Sequence, residues 1–162
     1  MTIRTITPSP AVHASIPVQS KLAAAWTSFM LLYIYVDVLN FYKPGVVDGI
    51  LNGRVWQFNV SATLLTVMLT SVAIPAVMVT LSMALPARAN RVTNLVVAAL
   101  LVPYSIFNAT GESGEWVGFY ALSIGVELLL LAFILRSAWT WRGNSAGAVA
   151  VAESDLRLGT RQ

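Results

Sequence analysis

The sequence contains no cysteine and a single histidine, His13, among its 162 residues. Without cysteine there is no disulfide framework, thiol redox centre, iron–sulfur cluster or thiolate zinc site. One histidine cannot build a histidine-rich metal or haem site, and no phosphate loop, nucleophile motif or nucleic-acid-binding pattern is present. The sequence therefore predicts no catalytic residue, no metal site and no nucleic-acid partner. An enzyme acting alone is the least favoured class, and the identity of any cofactor stays open.

Charged residues are also scarce, at 10% of the chain against 57% hydrophobic residues. A soluble domain usually has about 25% charged residues. Four apolar stretches are long enough to cross a bilayer, which takes about 20 residues of helix, and none contains Lys or Arg. We therefore predict an all-α membrane protein with four transmembrane helices in an up-down-up-down antiparallel bundle. The predicted spans are residues 22–42, 61–85, 92–110 and 116–135.

The basic residues predict the orientation of this bundle. Eight of them flank one side and two flank the other, and the richer side of a membrane protein is normally cytoplasmic. The sequence thus predicts a multi-pass protein of the cell inner (cytoplasmic) membrane with both termini inside. Residues 1–20 are expected to form a flexible tail, residues 21–142 the membrane domain and residues 143–162 a disordered tail. The eight basic residues on the cytoplasmic side are Arg4, Lys21, Arg88, Arg91, Arg136, Arg142, Arg157 and Arg161, and the two on the other side are Lys43 and Arg54.

The first span gathers its polar and aromatic residues on one stripe. Trp26, Met30, Tyr33, Asp37 and Asn40 follow at spacings of four, three, four and three residues, which places them on one helix face. Such a face must be hidden from lipid, so it predicts contact with partner helices. The tryptophans as a set, Trp26 included, are interpreted mainly as a belt at the membrane interface.

Glu127 is predicted near the middle of the membrane, because it lies eleven residues after Trp116, or about 16 Å along a helix. No cation lies inside the spans, so desolvation favours the neutral carboxyl group, hydrogen-bonded to neutral partners. Counting residues along the spans to compare their depths in the membrane places Tyr33, Ser71 and Ser123 beside Glu127. Two interpretations stay open: a ligand or proton site, and a neutral interhelical hydrogen bond that sets the packing.

Asp37 lies about 8 Å from the outer end of its span, where water can reach it. One interpretation is a hydrated interfacial carboxylate, or one paired with Lys43 or Arg54. The other is a polar and aromatic pocket that opens outwards and includes Glu127. Residues predicted to line this pocket are Tyr33, Asp37, Asn40, Ser71, Tyr104, Asn108, Tyr120, Ser123 and Glu127.

Two prolines interrupt the predicted spans. Pro75 and Pro103 are expected to kink the second and third spans, because proline removes a backbone hydrogen bond of the helix. Ser71, four residues before Pro75, is a candidate to satisfy the turn that this proline leaves open.

Several motifs resemble a family of small bacterial four-helix membrane proteins catalogued as a domain of unknown function. The most specific are KLAAAWT at 21–27, YIYVD at 33–37 and KPG at 43–45. The resemblance extends over about residues 21–142 and implies a bacterial inner-membrane protein, but no activity. In architecture alone, the chain is similar to DoxX-like proteins. Later positions that carry the resemblance are Pro75, Leu81, Ser82, Asn90, Arg91, Asn94, Trp116, Tyr120, Glu127 and the run from Ala138 to Trp141.

Three functions are compatible with these features. The favoured one is an accessory or binding protein that holds a small apolar molecule, such as a quinone or lipid, in its bundle. The alternatives are a proton-coupled transporter of a small solute and a structural or assembly partner whose acids only fix packing. Besides the lipid bilayer, a homo-oligomer or a larger membrane complex remains an open possibility.

Overall fold

The computed structural model describes residues 16–108, 110 and 114–141. Four of its helices are long and apolar enough to cross a membrane, which confirms the predicted fold class. A short helix, a two-strand antiparallel hairpin and a 3-10 turn complete the described part of the chain. The elements are α1 (Val18–Asn40), α2 (Val46–Leu51), β1 (Arg54–Val55), β2 (Phe58–Asn59), α3 (Ala62–Ala84), α4 (Ala87–Phe107), the 3-10 turn (Gly114–Trp116) and α5 (Val117–Thr140).

Local sequence signals explain where these helices begin. Ser61 caps α3, since its hydroxyl oxygen accepts a hydrogen bond at 3.1 Å from the backbone amide of Leu64. Pro86 directly precedes α4, and proline has no amide hydrogen for a helix start to leave unpaired. Gly45 precedes α2 with φ of 81°, a left-handed conformation that glycine adopts without steric cost.

Three helices extend beyond the predicted spans because the predictions stopped at charged residues. Helix α1 begins at Val18 rather than at residue 22, and α4 begins at Ala87 rather than at residue 92. Helix α5 continues past Arg136 to Thr140. Long basic side chains reach the interface from within a helix, so they mark the membrane boundary rather than the helix end. The predicted tails lie mostly outside the described residues.

The long helices do not pack as four equivalent neighbours. Helix α1 packs along α3 on one side and along α5 on the other, and α5 also packs along α4. Helices α3 and α4, although joined by the shortest connection, make few contacts with each other. Helices joined by a short connection usually pack closely, so the divergence of this pair is a feature that the sequence pattern did not predict.

A compact apolar core fills one half of the bundle. Its largest members from α1 and α5 are fully buried side chains at five positions, and Met78 of α3 joins them. The ring of Phe29 lies edge-on to Trp26, with centroids 5.9 Å apart, a geometry that aromatic pairs favour. The side chains from α1 and α5 are Leu22, Trp26, Phe29, Leu131 and Ile134.

A cluster of polar side chains is buried at the end of the bundle where α3 joins α4, and we call it the amide cluster. The indole nitrogen of Trp26 donates to Asn94 Oδ1 at 2.6 Å, and Asn94 Nδ2 donates to Asn90 Oδ1 at 2.6 Å. Asn90 Nδ2 donates to the backbone oxygen of Ser82 at 2.6 Å. All four residues have no exposed surface. Trp26 is therefore a core residue, as its place on the stripe of the first span predicted, and it does not belong to the interface belt.

Helix α4 has one buried face, which carries polar as well as apolar residues. Asn94, Ala98, Leu101 and Ser105 are all buried. Helix geometry continues through both prolines. The hydroxyl of Ser71 donates to the backbone oxygen of Met68 at 2.6 Å. This contact differs from the expected one, in which Ser71 satisfies the turn that Pro75 leaves open.

Candidate functional site

A cavity of about 510 Å³ lies where α3 and α4 diverge. Helices α1 and α5 form its back wall, and it extends towards the end of the bundle that carries the 41–61 connector. Its volume falls within the range of about 300 to 1,000 Å³ that is typical of small-molecule sites. The divergence of one helix pair thus creates a space of ligand size inside an otherwise packed bundle.

All nine residues predicted to form a pocket line this cavity. They come from four helices and the residue after α4, so the positions grouped from the sequence lie around one cavity. Whether they bind a ligand stays a prediction. The nine are Tyr33, Asp37, Asn40, Ser71, Tyr104, Asn108, Tyr120, Ser123 and Glu127.

Hydroxyl groups of the tyrosines hold the wall of the cavity together. Tyr33 and Tyr104 share a hydrogen bond of 3.0 Å between α1 and α4, in which either hydroxyl can donate. Tyr120 of α5 donates to Asn40 Oδ1 of α1 at 3.1 Å. Ser71 of α3 also interacts with the hydroxyl of Tyr33. The cavity therefore touches a hydrogen-bonded layer that connects all four long helices.

Glu127 is the most deeply placed ionisable residue of the cavity. Only 3% of its surface is exposed, yet it lines the cavity wall. Its Oε2 atom and the hydroxyl oxygen of Ser105 are both buried and lie beside each other, close enough to interact, although neither has a hydrogen bond of good geometry among the described residues. A buried carboxyl oxygen that is poorly paired costs free energy. The sequence predicted neutral hydrogen-bond partners for Glu127, and Ser105 is the neutral group beside it, while Glu127 also lines the cavity.

Asp37 lies one helical turn beyond Tyr33 on α1, and it is more exposed than Glu127. Its carboxyl group lines the same cavity and interacts electrostatically with that of Glu127. Among the described lining residues there is no Lys, Arg or His. The cavity thus combines two acidic groups with no basic side chain in that part of its wall.

The mouth of the cavity is covered by aromatic side chains of the connector. Trp56 and Phe58 line the cavity from the hairpin, with ring centroids 5.8 Å apart. Trp56 has φ of 51°, a left-handed conformation that is uncommon for a large side chain. Lys43 lies over the rings of Trp116 and Tyr120, at 5.6 and 5.3 Å from their centroids. These contacts fold the connector back over the bundle.

Sequence reasoning missed three features of the site. It did not place the hairpin, which lies within the 41–61 connector, over the cavity. It did not connect Ser105 with Glu127. The apolar wall from α3 carried no distinguishing signal, because most residues of that span are apolar. This wall consists of Leu64, Met68, Leu69 and Val72.

Replacing Tyr33 with Phe is expected to lower the free energy of unfolding by about 0.6 kcal/mol, the average for an interhelical hydrogen bond in a membrane protein. The change removes the hydroxyl that bonds to Tyr104 but keeps the ring. Unfolding in mixed detergent micelles measures the effect. Tyr35→Phe is the matched control, because Tyr35 is 62% exposed and lies outside the cavity lining. Equal stability of the two variants would show that the Tyr33 hydroxyl contributes nothing to packing.

Comparison with known proteins gives a family but no activity. The model of a family of unknown function (DUF6326) matches residues 16–148. The chain belongs to this family. The expected resemblance to an uncharacterised family is thereby confirmed, and the match spans all four long helices of this DUF6326 protein. No curated protein and no solved structure matches the chain.

Proposed function

We propose that this DUF6326 protein is a membrane-embedded binding protein for a small, largely apolar molecule with a polar group. The molecule occupies the cavity between α3 and α4, and a quinone or a lipid has this general character. The observation that carries the proposal is a cavity of about 510 Å³ whose wall includes two acidic residues, Asp37 and the deeply buried Glu127. A polar group of the ligand hydrogen-bonds to these carboxyl groups.

The membrane arrangement that we propose places the connector outside and both termini in the cytoplasm of a bacterial inner membrane. The distribution of Lys and Arg supports it. Interhelical contacts support the up-down arrangement: the pairs Trp26–Asn94 and Tyr33–Tyr104 advance together along α1 and α4. Asn40, at the end of α1, contacts Tyr120, near the start of α5. The ligand site then lies in the outer half of the bilayer.

The structural alternative requires the acids to be packed tightly against their partners. Glu127 lies beside Ser105, but it also lines a space of ligand size, and this space favours binding over a purely structural role. The transport alternative requires a path to the opposite face. There the bundle is filled by Leu22, Phe29, Leu131 and the amide cluster, all essentially without exposed surface. Transport by a single bundle is therefore less favoured, and a homo-oligomer or a larger complex would have to supply the path.

Native mass spectrometry of the protein in mild detergent tests the proposal. We expect a defined small molecule to remain bound to the native chain and its occupancy to fall about tenfold in Glu127→Gln. A neutral amide replaces the carboxyl group there, and truncating one member of a buried polar pair typically costs at least that much. The bound mass then identifies the ligand.

Glu115→Gln is the matched control, since Glu115 lies in the exposed 3-10 turn and outside the cavity lining. It makes the same chemical change and should keep the occupancy of the native chain. If no form of the protein retains a molecule and Glu127→Gln is as stable as the native chain, the binding proposal is wrong and a packing role for Glu127 is left.

A further inference from the structure

From the chemistry of the cavity wall we infer that the ligand of this site is a monovalent organic cation with apolar substituents, such as a hydrophobic amine or a quaternary ammonium. This inference rests on the proposed function and specifies its ligand class. Both acidic groups of the cavity, Asp37 and Glu127, face the same space, and the described part of the wall offers them no basic side chain. The ligand supplies the positive charge.

The carboxyl group of Glu127 gives the deepest point of contact. It is buried in protein, in surroundings where an electrostatic attraction is stronger than in water. Asp37 lies nearer the mouth and interacts with Glu127. An opposite charge nearby favours the ionised form of a carboxyl group, so a bound cation offsets the desolvation that otherwise favours the neutral form. The two acids therefore favour a cation from the mouth to the deepest part of the cavity.

The aromatic lining favours an organic cation over a metal ion. Six aromatic rings line the cavity, and ring faces attract cations whose charge is spread over apolar groups. Across the described residues no group of three metal-ligating side chains occurs, so a small divalent ion would lack ligands there. The six are Tyr33, Trp56, Phe58, Tyr104, Phe107 and Tyr120.

The apolar wall of α3 requires the cation to carry hydrophobic groups. Leu64, Met68, Leu69 and Val72 line the side opposite the acids, and Leu69 is 70% exposed at the divergence of α3 and α4. A strongly hydrated small cation would lose its water shell against this wall without compensation. A cation with aromatic or alkyl substituents loses little hydration and covers the apolar surface.

Tetraphenylphosphonium and tetraphenylborate test the inference, because they share size and shape but carry opposite charge. We expect the native protein in neutral detergent to bind tetraphenylphosphonium at least about tenfold more tightly than tetraphenylborate. Glu127→Gln should weaken the binding of the cation by about tenfold or more, whereas Glu115→Gln should leave it within about twofold of the native value. Titration followed by calorimetry gives these affinities.

Asp37→Asn provides a second variant in case Glu127→Gln fails to fold. Asp37 is an exposed residue at the mouth, so its replacement should not disturb packing, and we expect the affinity for the cation to fall several-fold. Asp48→Asn is its control, since Asp48 lies on α2 outside the cavity lining. Equal affinity for the two ions, or unchanged cation binding in both cavity variants, would overturn the inference.

A short-chain quinone separates failure of this inference from failure of the proposed function. If the quinone binds in a way that depends on Glu127 while tetraphenylphosphonium does not bind, the cavity is a ligand site for neutral molecules and only the cation inference is wrong. If neither probe binds and no molecule is retained on purification, both proposals are wrong.

Discussion

Replacing Asn94 with Leu is expected to lower the free energy of unfolding by about 3 kcal/mol, because it strands three polar groups that pair with the Asn94 side chain. These groups are the indole nitrogen of Trp26, the side-chain oxygen of Asn90 and the hydroxyl of Ser82, which lies 3.4 Å from Asn94 Oδ1. None of the residues has exposed surface, so water cannot replace the lost partner. A single interhelical hydrogen bond averages about 0.6 kcal/mol, and the larger effect comes from the number of groups left unpaired.

The measurement is unfolding in mixed detergent micelles, followed by the fluorescence of tryptophan. Asn52→Leu is the matched control, since Asn52 lies in the exposed connector and its side chain bonds to the nearby backbone oxygen of Asp48. We expect the control to change the free energy of unfolding by less than about 0.5 kcal/mol. If Asn94→Leu is as stable as Asn52→Leu, the amide cluster does not hold the helices together.

Replacing Ser123 with Phe is expected to reduce ligand binding about a hundredfold or more, equivalent to about 2.7 kcal/mol. Ser123 is 5% exposed and lines the cavity close to Glu127 on α5. Its hydroxyl bonds only to the backbone oxygen of Tyr120 in the described part of the chain. The larger side chain enters the cavity and excludes a ligand. The free energy of unfolding should change by less than about 1.5 kcal/mol, since the ring fills open space rather than a packed core.

Ser28→Phe is the control for this substitution. Ser28 is an exposed residue of α1 outside the cavity lining, and its hydroxyl likewise bonds to a backbone oxygen of its own helix, that of Ala24. Binding of tetraphenylphosphonium or of the molecule retained on purification gives the readout. Undiminished binding in Ser123→Phe would place the ligand site outside this cavity.

The sequence predicted the four long helices and grouped nine residues that line the cavity because both leave local signals. Apolar length identifies a membrane helix, and the spacing of Tyr33, Asp37 and Asn40 selects one face of α1. Depth counted from the helix ends then brought Tyr33 and Ser71 to the level of Glu127, and Ser123 shares the helix face of Glu127. These steps use distances along single helices, which the chain fixes locally.

The relative placement of the helices left no comparable signal. Nothing in the spans shows that α3 and α4 diverge, since this depends on how α1 and α5 pack between them. Trp26 was assigned to the interface because tryptophan is common there, yet it pairs with Asn94, 68 positions away. Ser82 and Asn90 lie on different helices, so their contact leaves no periodic pattern in the sequence. Such contacts are decided by tertiary packing rather than by local pattern.

The gap between α3 and α4 also affects how an affinity for this protein should be expressed. A molecule that reaches the cavity through this gap is drawn from the hydrocarbon phase, where each of its methylene groups contributes about 0.8 kcal/mol to partitioning. Its local concentration beside Leu69 then far exceeds its concentration in water. A weak site thus remains filled in a membrane. Dissociation constants referred to the aqueous phase will vary with the amount of detergent or lipid, whereas those referred to mole fraction in the apolar phase will not.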